Sequence, residues 1–197
     1  MQIHLIRHGE VANPEHLVYA DLPGFALSSL GREQARTTGQ RLAASGITRI
    51  ISSPLERAIE TSELIAAAID APVSTDHRLS EWRLASRWAG VGWELLPEAF
   101  PGELEAYLHD PADLPFSPES LDQLAERVAA AVGDWADNSA GDLAFVSHQD
   151  PLHSARLMLT GRSPAAFHED KPAHASVTTL LRVSTTWELG GYWAPDQ

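Results

Sequence analysis

The chain has 197 residues, 44% of them hydrophobic, which is long enough to bury one sizeable core and short for two. It contains no cysteine, so disulfides, thiolate metal sites and cysteine nucleophiles are excluded. The formal charge is −13, and of 14 basic residues all but Lys171 are arginine, so an anionic surface is repelled and neither nucleic acid nor a membrane is an expected partner.

Ile3 to Ile6 reads as a short buried strand that runs straight into Arg7, His8 and Gly9. A polar loop follows, with turn signals at Asn13-Pro14 and Leu22-Pro23-Gly24. Ser28 can cap a helix running to about Ser45 and closed by Gly46. Ile47 to Ser52 predicts a second strand. In the segment SPLERAIETSELIAAAI, Ser53 and Glu56 have capping-box spacing, Pro54 fits the first helical position, and Leu55, Ile59 and Ile69 share a face.

A short strand is expected around Val73 and Ser74. The stretch from Trp82 to Pro118 is then irregular, rich in tryptophan, glycine and proline, and reads as a cap-like excursion carrying a short helix or two. Leu121, Leu124, Val128, Val132 and Trp135 recur at helical spacing and predict a core-facing helix. Asp142 to Ser147 is another buried strand, followed by His148 and by Asp150-Pro151 as N-cap and first helical residue, with Gly161 as the stop. Val177 to Val183 and Trp187 to Tyr192 predict two closing strands. The first apolar run is too short for a secretion leader and no segment is long enough to span a bilayer, so a cytoplasmic protein is expected.

Strand alternating with helix predicts an α/β three-layer sandwich around a mostly parallel sheet, as a single domain over residues 1–197 with 82–118 as an excursion within it. Ligands of such sheets gather outside the carboxyl ends of the strands. His8, Ser52-Ser53 and His148 all fall at such ends.

The ordered set LIRHGE, LSSLGREQA, SSPLERAIETSE, LSEW and FVSHQDP, spread over most of the chain, resembles the histidine phosphatase superfamily, also called phosphoglycerate mutase-like. The resemblance implies that His8 is the phosphorylated nucleophile, Arg7 and Arg57 the phosphate clamps, His148 the second pocket histidine and Glu81 the proton donor. It implies a small phosphorylated substrate and no metal or other cofactor; oligomeric state is left open. Three positions depart from the commoner pattern: Val11 stands where Thr or Ser is usual, Asn13 sits one position early, and Gln149 follows the second histidine where glycine is typical. Asn13 and Gln149 are candidate substrate-binding residues, and Gln149 alternatively only narrows the pocket.

Physical chemistry supports these roles. A phosphoryl group in transfer carries negative charge on its equatorial oxygens, and catalysis is chiefly positioning plus cationic stabilisation of that charge. His8 attacks only as neutral imidazole, so one ring nitrogen needs an acceptor, for which the backbone carbonyl of Gly9 or of a residue near it is a candidate. A leaving alkoxide needs a proton, and a carboxylic acid beside Trp82 is a candidate for the raised pKa of a donor. Asp150 competes for that role but precedes a proline where an N-cap is expected. The remaining histidines, His174 among them, receive no role from the motifs. Trp82, Trp88 and Trp93 either wall the leaving-group pocket or pack the excursion onto the sheet.

No P-loop lysine or GxSxG elbow appears, and His148 and His153 would not share a helical face as paired metal ligands. A metal-free phosphohistidine route remains, and because SSLGREQA and VSHQDP look more like the phosphatase branch of the superfamily than the mutase branch, the resemblance implies metal-independent phosphomonoester hydrolysis through a phosphohistidine. The rivals are mutase-type phosphoryl transfer and a non-catalytic phosphate-binding module, the latter disfavoured by the presence of His8, Arg57 and Glu81.

Overall fold

The structure, a computed structural model, describes residues 1–196. The strands are β1 (Gln2–Arg7), β2 (Ile47–Ser52), β3 (Val73–Thr75), β4 (Asp142–Ser147), β5 (Val177–Val183) and β6 (Thr186–Trp193). They form one sheet in the order β3-β2-β4-β1-β5-β6. The first four in that order are mutually parallel, and β5 and β6 complete the sheet by antiparallel pairing. Long helices α1 (Ser29–Leu42) and α2 (Glu56–Ile69) pack on one face, with Ile6, Ile50, Ala144, Val146 and Val177 beneath them. The opposite face, with Ile3, Leu5, Ile51, Leu143 and Phe145, is covered by α6 (Leu121–Asp137) and α7 (Gln149–Leu159). Both faces are buried, which is why β1 and β4 read as continuous apolar runs rather than alternating ones. Among the described residues no helix is long and apolar enough to cross a membrane.

The excursion carries three short helices, α3 (Arg83–Arg87), α4 (Leu96–Ala99) and α5 (Glu103–His109). Trp82 and Trp88 are buried with Tyr107 and Phe167 in the larger apolar cluster, so they pack the excursion down, while Trp93 is exposed. The loop after β1 explains Gly9: a Cβ there would run into the Gly31 carbonyl, because this loop rests directly on the first turn of α1.

Four local expectations are corrected. Helix α1 keeps its Ser28 cap but ends at Leu42, and Gly46 turns the chain with φ of 75°. Helix α2 begins at Glu56 with Leu55 at the N-cap position and no side-chain cap, so Ser53 and Glu56 do not form a capping box. Its fully buried positions are Arg57, Ala58, Thr61, Ser62 and Ile65, whereas Leu55 and Ile59 are only half-buried and Ile69 packs half-buried against the core. Helix α7 begins at Gln149 with His148 at the N-cap position, which puts Asp150-Pro151 inside the first turn.

Candidate active site

His8 leaves the end of β1 with its backbone N–H bonded to the Ser147 carbonyl across the sheet (2.9 Å) and its side chain buried. Its Nδ1 lies 2.8 Å from the Gly9 carbonyl, an acceptor only, so Nδ1 carries the proton and Nε2 keeps its lone pair. Arg57 Nε donates to that Nε2 at 3.2 Å. Burial, followed by the charges of Arg57 and Arg7, holds the His8 pKa well below its ordinary value, so the ring is neutral.

His148, at the end of β4, stands edge-on to His8 with ring centroids 5.2 Å apart. Its Nε2 lies 2.8 Å from Ser53 Oγ, which is how Ser53 is used instead of capping α2. Burial and then Arg57 depress the pKa of this ring as well. Its Nδ1 is buried without a hydrogen-bond partner among the described residues, 3.8 Å from Glu81 Oε2.

Glu81 accepts a hydrogen bond from the Trp82 backbone N–H at 2.8 Å. Burial first and the nearby charge of Asp150 second raise its pKa to about 7, against the pull of Arg57. The strand-to-helix segment that carries it is held by Arg127 of α6. That guanidinium donates to the carbonyls of Arg78, Ser80 and Glu81 at 2.7, 2.8 and 3.0 Å and is neutralised by Glu119. Arg57 enters from the first turn of α2. Its Nη2 donates to the Ala20 carbonyl (2.7 Å) and its guanidinium lies 4.7 Å over the Tyr19 ring, so the 13–25 loop is anchored on the same cation.

The structure thus brings together Arg7, His8, Arg57, Glu81 and His148, all five predicted from sequence. Gln149 joins them through Arg7, whose Nη1 donates to Gln149 Oε1 at 2.6 Å. Asn13 is occupied elsewhere: its amide closes the loop onto the Leu17 backbone, donating at 2.9 Å and accepting at 3.1 Å. Asp150 is paired with Lys171 (2.9 Å), accepts from Tyr107 Oη (3.3 Å) and lies inside the first turn of α7 rather than capping it.

Two residues received no role from the sequence. His174, in the irregular segment before β5, sits 2.9 Å from Arg7 Nη2 with its ring centroid 5.8 Å from that of His8. Arg127 lies on the amphipathic helix α6, whose periodicity accounts only for its apolar face. The arrangement places a buried neutral imidazole, whose Nε2 lone pair faces Arg57, among guanidinium groups and near a carboxyl group whose pKa is raised to about 7. That combination suits attack on an electrophile with developing negative charge and proton delivery to its leaving group.

Known proteins match this chain over nearly its full length. The family model described as histidine phosphatase superfamily (branch 1) matches residues 3–193. A protein named as a probable phosphoglycerate mutase, from Salmonella newport, is 40% identical, over 98% of this chain and 90% of its own. An uncharacterised protein of Mycobacterium tuberculosis is 35% identical over 91% of this chain and 89% of its own. Among solved structures, a mycobacterial glucosyl-3-phosphoglycerate phosphatase superimposes with a TM-score of 0.87 at 24% identity, covering 99% of both chains.

Proposed function

The chain belongs to the histidine phosphatase superfamily (branch 1), and from that premise we propose that it is a phosphomonoester hydrolase acting through a phosphohistidine on His8. The observation that carries the reading is the His8 ring: Nδ1 is committed to Gly9, and Nε2 points its lone pair at Arg57. The phosphoryl group binds where that lone pair and the two guanidinium groups converge. His8 Nε2 forms the P–N bond as the P–O bond to the leaving group breaks, and Arg7, Arg57 and His148 bear the charge on the equatorial oxygens.

Glu81 gives its proton to the departing alkoxide, which leaves as the alcohol. Now a carboxylate, it takes a proton from the water that attacks phosphorus. The P–N bond breaks, inorganic phosphate forms, and His8 and Glu81 return to their starting states. The positive charge comes from arginine, so the route calls for no metal and no other cofactor.

The substrate is a small phosphorylated metabolite in a cytoplasmic setting. Nucleic acid and membranes are disfavoured as partners by the charge of −13. Rapid acid-free quenching during turnover of a phosphorus-labelled monoester is expected to trap an acid-labile, base-stable phosphoenzyme on His8, with the label ending in inorganic phosphate. A second reading is favoured by the name of the 40%-identical relative. In mutase-type transfer a substrate hydroxyl intercepts the phosphohistidine before water does, and most of the label would then appear in an isomeric phosphorylated product.

A further inference from the structure

We infer that His174 is a positioning residue for phosphoryl transfer: as a neutral acceptor it fixes the Arg7 guanidinium so that its two uncommitted N–H groups face the phosphate. The inference rests on the function proposed above and deepens it.

A guanidinium has five N–H donors and no acceptor. Arg7 uses both hydrogens of Nη1, donating to Gln149 Oε1 at 2.6 Å and to the Pro172 carbonyl at 2.9 Å. Its Nη2 lies 2.9 Å from His174 Nε2. Since the arginine can only donate, Nε2 is the acceptor, and His174 is the neutral tautomer with its proton on Nδ1. Burial, and after it the Arg7 charge, lower the His174 pKa to about 4, which keeps this tautomer across the neutral range.

What remains on Arg7 is the second Nη2 hydrogen and Nε–H, and Nε is buried with no partner among the described residues. Neighbouring donors on one planar group match two oxygens of a phosphoryl group. Three acceptors from α7 and the segment before β5 therefore leave the cation facing one way. Without His174 one of these restraints is lost and a long side chain regains rotameric freedom, so the clamp must be reordered each time phosphate binds.

The sheet delivers this third histidine. Because β5 runs antiparallel to β1, its leading segment lies beside the end of β1, and the Ala175 backbone N–H donates to the His8 carbonyl at 3.1 Å.

The test compares His174→Leu, which removes the acceptor, with His174→Gln, whose amide oxygen has similar reach. Two probes are read: binding of inorganic phosphate by calorimetry, and kcat/KM on p-nitrophenyl phosphate. His174→Leu is expected to weaken both by about ten-fold with an unchanged thermal midpoint, and His174→Gln to restore both to within about three-fold of the parent. In an Arg7→Met background, His174→Leu is expected to cost nothing further in kcat/KM, since the residue acts through Arg7. Parental phosphate affinity in His174→Leu, equal damage in the Gln and Leu variants, or an undiminished loss in the Arg7→Met background each overturns the inference. Should the parent bind phosphate but hydrolyse no monoester, it is the proposed function that fails, and the calorimetric arm still decides the role of His174.

Discussion

At the pocket floor, Arg7, His8, Arg57 and His148 are held by polar partners from the loop after β1, the end of β4, Ser53 after β2, α2, α7 and the segment before β5. The 82–118 excursion is held instead by apolar burial: Trp82, Trp88 and Tyr107 sink into the core, and Trp82 and Trp88 each also donate an indole hydrogen bond, to the Glu119 carbonyl and the Glu103 carboxylate at 2.9 Å. The floor gathers cations and uncharged rings that burial disfavours, an arrangement that favours function over stability. The excursion does the opposite, supplying stability with few groups that react. The two meet at Glu81-Trp82, where the carboxyl group proposed as proton donor and a core side chain are sequence neighbours and the backbone N–H of Trp82 donates to the carboxyl group of Glu81.

The sharpest test of this contrast is His8→Ala. It should lower turnover by at least about 10³-fold, roughly 4 kcal/mol of barrier, without lowering the thermal midpoint, because the ring it removes is buried beside two cations. Retention of a tenth of the activity would exclude His8 as the nucleophile.

Trp82→Ala probes the other region. Loss of a fully buried indole and its hydrogen bond is expected to cost about 3–5 kcal/mol in denaturant unfolding. A cost under about 1 kcal/mol would mean that the excursion is not anchored by its aromatic packing.

Glu81→Gln acts at the junction. The proposed proton donor is its carboxylic acid form, present below a pKa of about 7 and lost as the pH rises through it, so turnover of alkyl phosphates in the parent should decline above that point. The variant should be about 10²-fold slower on alkyl phosphates, little affected on nitrophenyl phosphate, and free of that decline. Equal losses on both substrate types would assign Glu81 to structure instead.

The smallest effect is expected from Trp93→Ala, on an indole that is 44% exposed. Stability should stay within about 0.5 kcal/mol of the parent, and hydrolysis of nitrophenyl phosphate should not change. A larger fall in kcat/KM on one bulky phosphate ester than on nitrophenyl phosphate would show that the excursion reads the leaving group through this side chain.

Much of this protein was legible in its sequence because the relevant chemistry is local. The apolar runs of β1, β2 and β4 announce strands, and Ser28 caps α1. Arg7-His8 and His148 lie where strands release the chain, and the Gly9 carbonyl that fixes the His8 tautomer is one residue away. Local reasoning failed where a side chain had both a local and a distant use. Ser53 could cap α2 but instead meets His148, 95 residues on, and Asp150 could cap α7 but instead takes the charge of Lys171. A cap is a modest gain, and a buried imidazole or ammonium without a partner costs more, so the distant partner prevails. His174 was out of reach for a different reason. Strand-end reasoning looks after parallel strands, whereas His174 precedes β5, and only the antiparallel register of β5 against β1 carries that leading segment to the mouth of the site. Strand direction and register are set by the whole sheet at once, so no short stretch of sequence contains them.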